Sequence, residues 1–195
     1  MEVTMKKNDK NDLKKVEEYF KLIGINYKKI EETDTKTPDY KIMNENNSII
    51  AYCEVKSVYL TFNEEINGYK HATTSNKLEK DIRRACEQFM AVNPEHQHPN
   101  ILLWYSHDFQ LNRMNLLELI QGHISCGNMR IKDLSAQRAR IDKQLHIVDC
   151  HIWMQEGSIE PVYKPVIVAK DLKRFNTLVD IIPSLKEFII NRKQE

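Results

Sequence analysis

An apolar strand carries two opposite charges at the point where a buried strand should carry none. In Ile49-Ile50-Ala51-Tyr52-Cys53-Glu54-Val55-Lys56-Ser57 the run reads as buried β-structure until Glu54 and Lys56 interrupt it. Charged side chains are rarely buried unless they are paired or hold a metal. A fold that buries this strand must therefore supply a partner for each charge. Successive strand side chains point to opposite faces. Glu54 and Lys56 then share a face with Ile50 and Tyr52, while Ile49, Ala51, Cys53 and Val55 form the core-facing side.

The spacing alone is unselective. An acid followed two positions later by Lys also occurs at Asp12, Asp34, Asp39 and Asp171. Asp12 precedes a predicted helix, Asp34 lies in a polar stretch, and Asp171 follows an apolar strand. Only Glu54 sits inside an apolar strand with a second acid, Asp39, upstream. Tyr40-Lys41-Ile42-Met43 reads as a partner strand and Glu45-Asn46-Asn47-Ser48 as the turn, since Asn tolerates the positive φ of a tight hairpin. With Asn46 and Asn47 at the turn centre, Met43 faces Ile50, Lys41 faces Tyr52 and Asp39 faces Glu54. Facing side chains are rooted roughly 5 Å apart, and two carboxylates that close repel unless a cation lies between them. A one-residue slip removes the alignment.

Oxygen ligands from one or two carboxylates suit Mg²⁺, with Mn²⁺ as its substitute. Such an ion polarises a phosphoryl oxygen and acidifies an attacking water. Lys56 is placed to stabilise the developing charge, and the Val55 carbonyl is a further candidate ligand. The pattern points to hydrolysis of a phosphodiester.

At Pro38-Asp39 and Glu54-Val55-Lys56, with a helix before and a helix after, the chain resembles the PD-(D/E)XK superfamily of restriction-endonuclease-like nucleases. The resemblance spans about residues 10–106. It implies an α/β fold with a mixed central sheet flanked by helices in αβββαβ order, and residues 107–195 then form an α/β extension of a single 1–195 domain. It also implies a Mg²⁺-dependent nuclease acting on nucleic acid, DNA rather than RNA. A non-catalytic nucleic-acid-binding or assembly subunit on the same fold is the alternative, and a structural Glu54–Lys56 ion pair in an unrelated α/β protein is a third reading.

Members of that superfamily often carry another acid on the first helix. Asp12 to Gly24 reads as this helix, with Asn11 or Asp12 as its cap, and Leu13, Val16, Phe20 and Ile23 as its apolar stripe. Glu17 flanks the stripe and Glu18 points away, so Glu17 is the candidate helix-borne metal ligand or else a solvated helix charge. A second helix is predicted from Ser75 or Asn76 to about Val92, with Leu78, Ile82, Ala85 and Phe89 as its core stripe. Some superfamily branches place a Gln on this helix. Gln88 is the candidate here, although Val92 stands where the best-known branch has Tyr. Arg84 is a candidate phosphate contact or an ion-pair partner of Asp81. The long polar link before this helix contains Tyr69, Lys70 and His71, which suit either nucleic-acid stacking and charge or a plain surface loop.

Global numbers fit one globular chain: 195 residues, 41% hydrophobic, 29% charged, net charge +1. That balance argues against whole-surface coating of nucleic acid, though Lys6, Lys7, Lys10, Lys14 and Lys15 cluster, as do Arg130, Lys132, Arg138, Arg140 and Lys143. No membrane span or signal peptide is read, and four cysteines without ligand spacing suggest reduced thiols in a cytoplasmic protein. A zinc set from Cys126, His146, Cys150 and His151 lacks an anchoring Cys-x-x-Cys pair. Homodimerisation is left open. Beyond the second helix, strands are predicted at Pro99–Ser106, Gln144–Met154 and Pro161–Ala169. A helix is predicted at Leu111–Gly122 with Met114, Leu117 and Ile120 inward, and helical stretches at Asp171–Arg192. An edge strand with a polar face accounts for Asp149 and His151, and His96, His98 and His107 read as incidental.

Overall fold

The computed structural model describes residues 9–31, 36–59, 71–107, 111–126, 129–155, 166–167 and 172–182. Lys6, Lys7, Tyr69 and Lys70 lie outside them. The chain is an α/β protein. Helix α1 (Asp9–Leu22) leads into strands β1 (Asn26–Lys29), β2 (Tyr40–Met43) and β3 (Ile49–Val58). Helix α2 (His71–Val92) and strand β4 (Asn100–Ser106) follow, then α3 (Arg113–Gln121), β5 (His123–Cys126), β6 (Met129–Asp133) and α4 (Ser135–Arg140). Strand β7 (Cys150–Gln155), strand β8 (Val166–Ile167) and helix α5 (Leu172–Ile181) complete it. The main sheet is mixed, in the order β1-β2-β3-β4-β7-β8, with β3, β4 and β7 parallel and the outer pairings antiparallel. Strands β5 and β6 pair apart from it.

Parallel strands covered on both faces read as near-continuous apolar runs. Every residue of β4 is buried, including Asn100 and Ser106 at its ends. One core lies beneath α1 and α5, built from Val16, Phe20, Tyr40, Cys53, Leu103 and Leu178. The other lies beneath α2 and α3, with Leu78, Phe89, Leu102, Trp104, Leu116 and Trp153. Strand β3 therefore has a core on each face, not on one. Helix α1 ends as its glycine dictates. Gly24 adopts φ +73°, and the Ile25 N–H reaches the Phe20 carbonyl at 2.8 Å, closing a Schellman motif.

Several expectations need correction. Helix α1 begins before Asp12, so Asp12 is an interior, fully buried residue and not a cap. Helix α2 begins at His71, and Ser75 is buried within it. In α3 the buried residues are Leu116 and Leu119, Ile120 packs partly buried against the same core as expected, and Met114 is exposed. The Asn112–Asn115 capping box and the Ser106 Oγ bond to the Leu111 carbonyl fix that rotation, which two competing apolar stripes leave open. The segment Gln144–His146 is a 3-10 turn and the strand starts at Cys150. Strand β7 lies between β4 and β8 and is not an edge. The β5–β6 hairpin and α4 are absent from the sequence expectations. Among the described residues no helix is long and apolar enough to cross a membrane.

Asp149 is no solvated edge residue. Its buried carboxylate accepts from Arg174 Nε (2.9 Å), the Asn100 N–H (2.9 Å) and His96 Nε2 (2.6 Å). It ties α5 and the loop before β4 to the start of β7. Burial pushes the neighbouring His151 down to about 3, so its ring is neutral, and Trp104 Nε1 donates to its Nδ1 at 3.1 Å. Asp149→Ala removes the acceptor shared by the half-buried Arg174 guanidinium, His96 and the buried Asn100 N–H. It is expected to lower unfolding stability by about 3 kcal/mol or more in urea denaturation, whereas a loss below about 1 kcal/mol would place the network among ordinary surface pairs.

Candidate functional site

The hairpin sets the site. Strands β2 and β3 pair Tyr40 with Cys53, Lys41 with Tyr52 and Ile42 with Ala51, the register expected next to Asp39 and Glu54. The turn that produces it differs from expectation. Asn44 organises residues 44–48: its N–H reaches the Ser48 carbonyl at 3.0 Å, and its Oδ1 accepts from the Asn46 and Ser48 N–H groups. Asn47 takes φ +57°. That turn pairs Met43 with Ile49, and a bulge at Ile50 then adds the residue that restores the alignment. As a result Ile50 packs with the α1-side core and Ile49 with the α2-side core, the reverse of strict alternation.

Asp39 stands one residue before the ladder. Its Oδ2 accepts the Val55 N–H at 2.8 Å, so the contact the structure gives Val55 is through its N–H. Glu54 is buried, with Oε1 bound to Lys56 Nζ at 2.5 Å and Oε2 buried without a donor. Lys56 Nζ also donates to Gln88 Oε1 at 2.8 Å, and Gln88 Nε2 donates to the Thr37 carbonyl at 2.9 Å. Gln88 thus clamps the lysine from α2 and holds the segment leading into Asp39. The geometry brings Asp39, Glu54, Lys56 and Gln88 together.

The electrostatics follow from burial. Glu54 is pushed up to about 8, chiefly by desolvation and then by the charge of Asp39, with Lys56 opposing. Desolvation also raises Asp39, while the Val55 N–H, the Glu54 carboxyl beside it and the charge of Lys56 pull it back. The Lys56–Glu54 contact suggests an ionised Glu54, whereas the raised value suggests a protonated one. Burial and the charge of Asp39 favour the protonated Glu54, and the Lys56 ammonium opposes them.

Other candidates are placed elsewhere. Glu17 Oε1 accepts from the Tyr40 hydroxyl at 3.1 Å. Among the described residues no group of three or more His, Cys, Asp or Glu can hold a metal ion, so Glu17 does not join Asp39 and Glu54 as a third ligand. The physical reason is the strand pleat: Tyr40 points toward α1 and takes Glu17 there, while Glu54 and Lys56 point toward α2. Arg84 is exposed on α2, and Asp81 pairs with Lys77 at 3.6 Å instead of with Arg84. The zinc reading fails in the same way, since Cys150 and His151 are adjacent, buried and packed into the sheet. Oxygen donors, one of them buried without a hydrogen-bond donor, fit a hard divalent cation held by Asp39 and Glu54.

Sequence reasoning misses a second buried carboxylate. Asp12 of α1 accepts from Ser57 Oγ, from Tyr59 OH at 3.3 Å and from His107 Nε2 at 2.9 Å. The Tyr59 and His107 rings stack at 4.2 Å. Asp12 therefore fastens the ends of β3 and β4 to α1, on the face opposite Lys56. An apolar stripe hides such a residue, because the helix wheel places Asp12 beside Val16 and Tyr19 only once the helix start is known. Comparison with known protein families, with curated proteins and with solved structures found no match.

Glu54 binds its proton more tightly in the folded chain than in the unfolded one. Stability from this group is full below the ordinary Glu range and falls as pH rises toward about 8. In metal-free buffer, Glu54→Gln is expected to melt above the parent at about pH 9 and to converge with it near pH 5, as followed by thermal denaturation. Parallel curves across that range would contradict the burial account.

Proposed function

We propose that the chain is a Mg²⁺-dependent nuclease of the PD-(D/E)XK type, acting on DNA rather than RNA. The observation that carries this reading is the convergence of two carboxyls from adjacent strands with one lysine, where one carboxyl oxygen is buried and lacks a donor. The element order α1-β1-β2-β3-α2-β4 and the mixed sheet support the restriction-endonuclease-like core that the motif implies.

Asp39 and Glu54 would hold the ion, with the Val55 carbonyl as a further candidate. When bound, a divalent cation there supplies positive charge to the phosphoryl group and acidifies water. The chain's own residues do the rest. The Val55 N–H holds Asp39 Oδ2 and so orients the carboxyl. Gln88 fixes the Lys56 ammonium through a neutral acceptor, which leaves its charge uncancelled on that side. Lys56 is thereby placed to stabilise the charge that builds up as water attacks phosphorus and the bond to the leaving oxygen breaks. The Thr37 carbonyl keeps Gln88 in this orientation.

A non-cleaving nucleic-acid-binding subunit is the second reading. The Lys56–Glu54 pair favours it, because the two charges already satisfy each other without an ion.

Asp39→Ala, Glu54→Ala and Lys56→Ala are each expected to reduce Mg²⁺-dependent cleavage of DNA by at least about 10²-fold, with circular dichroism unchanged. Mg²⁺ or Mn²⁺ should raise the melting temperature of the parent and not of Asp39→Ala. Full activity in all three variants, or activity indifferent to EDTA, would overturn the reading. Binding of nucleic acid with no cleavage under either metal would select the second one.

A further inference from the structure

We propose that the solvent face of α2, continued by Arg140 of α4, is a docking surface for the phosphate backbone of nucleic acid outside the cleavage centre. The proposal rests on the nucleic-acid reading above. Among the described side chains in the first two-thirds of α2, the exposed positions are Asn76, Lys80, Arg83 and Arg84. The acids of the same stretch, Glu79 and Asp81, are buried at the helix flanks. Helical surfaces ordinarily intersperse the two signs. Here the acids face inward and the cations outward, with Glu87 as the exposed acid one turn further on.

Glu79 explains the arrangement. Its carboxylate receives Arg140 Nε at 3.0 and 2.9 Å, Arg140 Nη2 at 2.7 Å and Arg83 Nη2 at 3.0 Å. Arg83 Nη2 also donates to the Arg140 carbonyl at 3.0 Å. One carboxylate therefore orders two guanidinium groups, and the cluster keeps a net positive charge. Each arginine is nearly half exposed, 44% and 45%. Acids near α4 have partners of their own: Asp142 takes Arg138 Nη1 at 2.5 Å, and Asp133 takes the Ser135 N–H at 2.8 Å. Lys132 and Lys143, which flank α4 in sequence, are exposed.

The face also points the right way. At about 100° per residue, Arg84 stands about 40° from Gln88 around the helix and Arg83 about 140° in the same sense. Gln88 touches Lys56 at one edge of α2, and Glu79 holds Arg140 at the opposite edge. The cationic arc joins those edges. Pre-ordered guanidinium groups with free donors match phosphate oxygens.

The test is binding of a labelled duplex DNA of mixed sequence by fluorescence anisotropy across a salt series, in EDTA. The triple variant Lys80→Gln/Arg83→Gln/Arg84→Gln keeps the Glu79–Arg140 pair, so α4 stays docked; Arg140→Gln is the companion. For the parent, affinity should fall steeply with salt. The triple variant should flatten that dependence by about 2–3 units of slope, near 0.9 for each phosphate no longer neutralised, and Arg140→Gln by about 1. Lys21→Gln, an exposed lysine of α1 across the sheet from α2, should leave the slope unchanged. An unchanged slope and Kd in the triple variant overturns the proposal, as does a parent that binds no DNA at low salt. Tighter binding of poly-glutamate than of DNA overturns it in favour of an acidic protein partner. If cleavage ignores Glu54 and Lys56 while the triple variant still flattens the slope, the nuclease reading fails and the docking face stands.

Discussion

Two carboxyl groups held beside one another, Glu54 buried and Asp39 half-buried, are the constraint on which the site depends, and the β2–β3 hairpin brings them together. Asp39 and Glu54 come from neighbouring strands, and burial raises both. Lys56 compensates one negative charge, and burial together with the charge of Asp39 favours a proton on Glu54. A divalent cation would replace that proton. The buried Glu54 oxygen that receives no donor is the atom with most to gain from such an exchange.

The sheet around this pair is fastened at both ends. Asp12 locks the C-terminal ends of β3 and β4 to α1 through Ser57, Tyr59 and His107. Asp149 locks the N-terminal ends of β4 and β7 to α5 through Asn100, His96 and Arg174. Both carboxylates are buried and both have several donors, so removing either leaves unpaired polar groups in a dry environment. The first clamp joins β3 and β4 to α1, and the second joins β4 and β7 to α5. Rigid strands of this kind hold functional groups better than loops do.

Much of the central architecture is legible in the residues. The stripes Leu13-Val16-Phe20 and Leu78-Ile82-Ala85-Phe89 identify the faces of α1 and α2, and the apolar run at Ile101 identifies β4. The register beside Asp39 is also legible, though through two departures that cancel: a longer turn at Asn44 shifts it by one residue and the bulge at Ile50 shifts it back. What stays hidden depends on long-range partners. Nothing local distinguishes Asp12 from a cap, or Asp149 from an edge residue, because their donors lie far away in sequence. Glu17 is misread for a similar reason, since the Tyr40 hydroxyl that takes it lies in another strand. The acids of α2 look like solvated charges until α4 is seen to cover Glu79.

The central claim is that Asp39 and Glu54 form a site for a divalent cation. A crystal soaked in Mn²⁺ tests it through anomalous scattering. The account predicts one strong peak coordinated by oxygens of Asp39 and Glu54, with Lys56 released from Glu54 and still held by Gln88. An intact Lys56–Glu54 pair with no peak beside it, at a Mn²⁺ concentration that saturates other carboxylates, would contradict it.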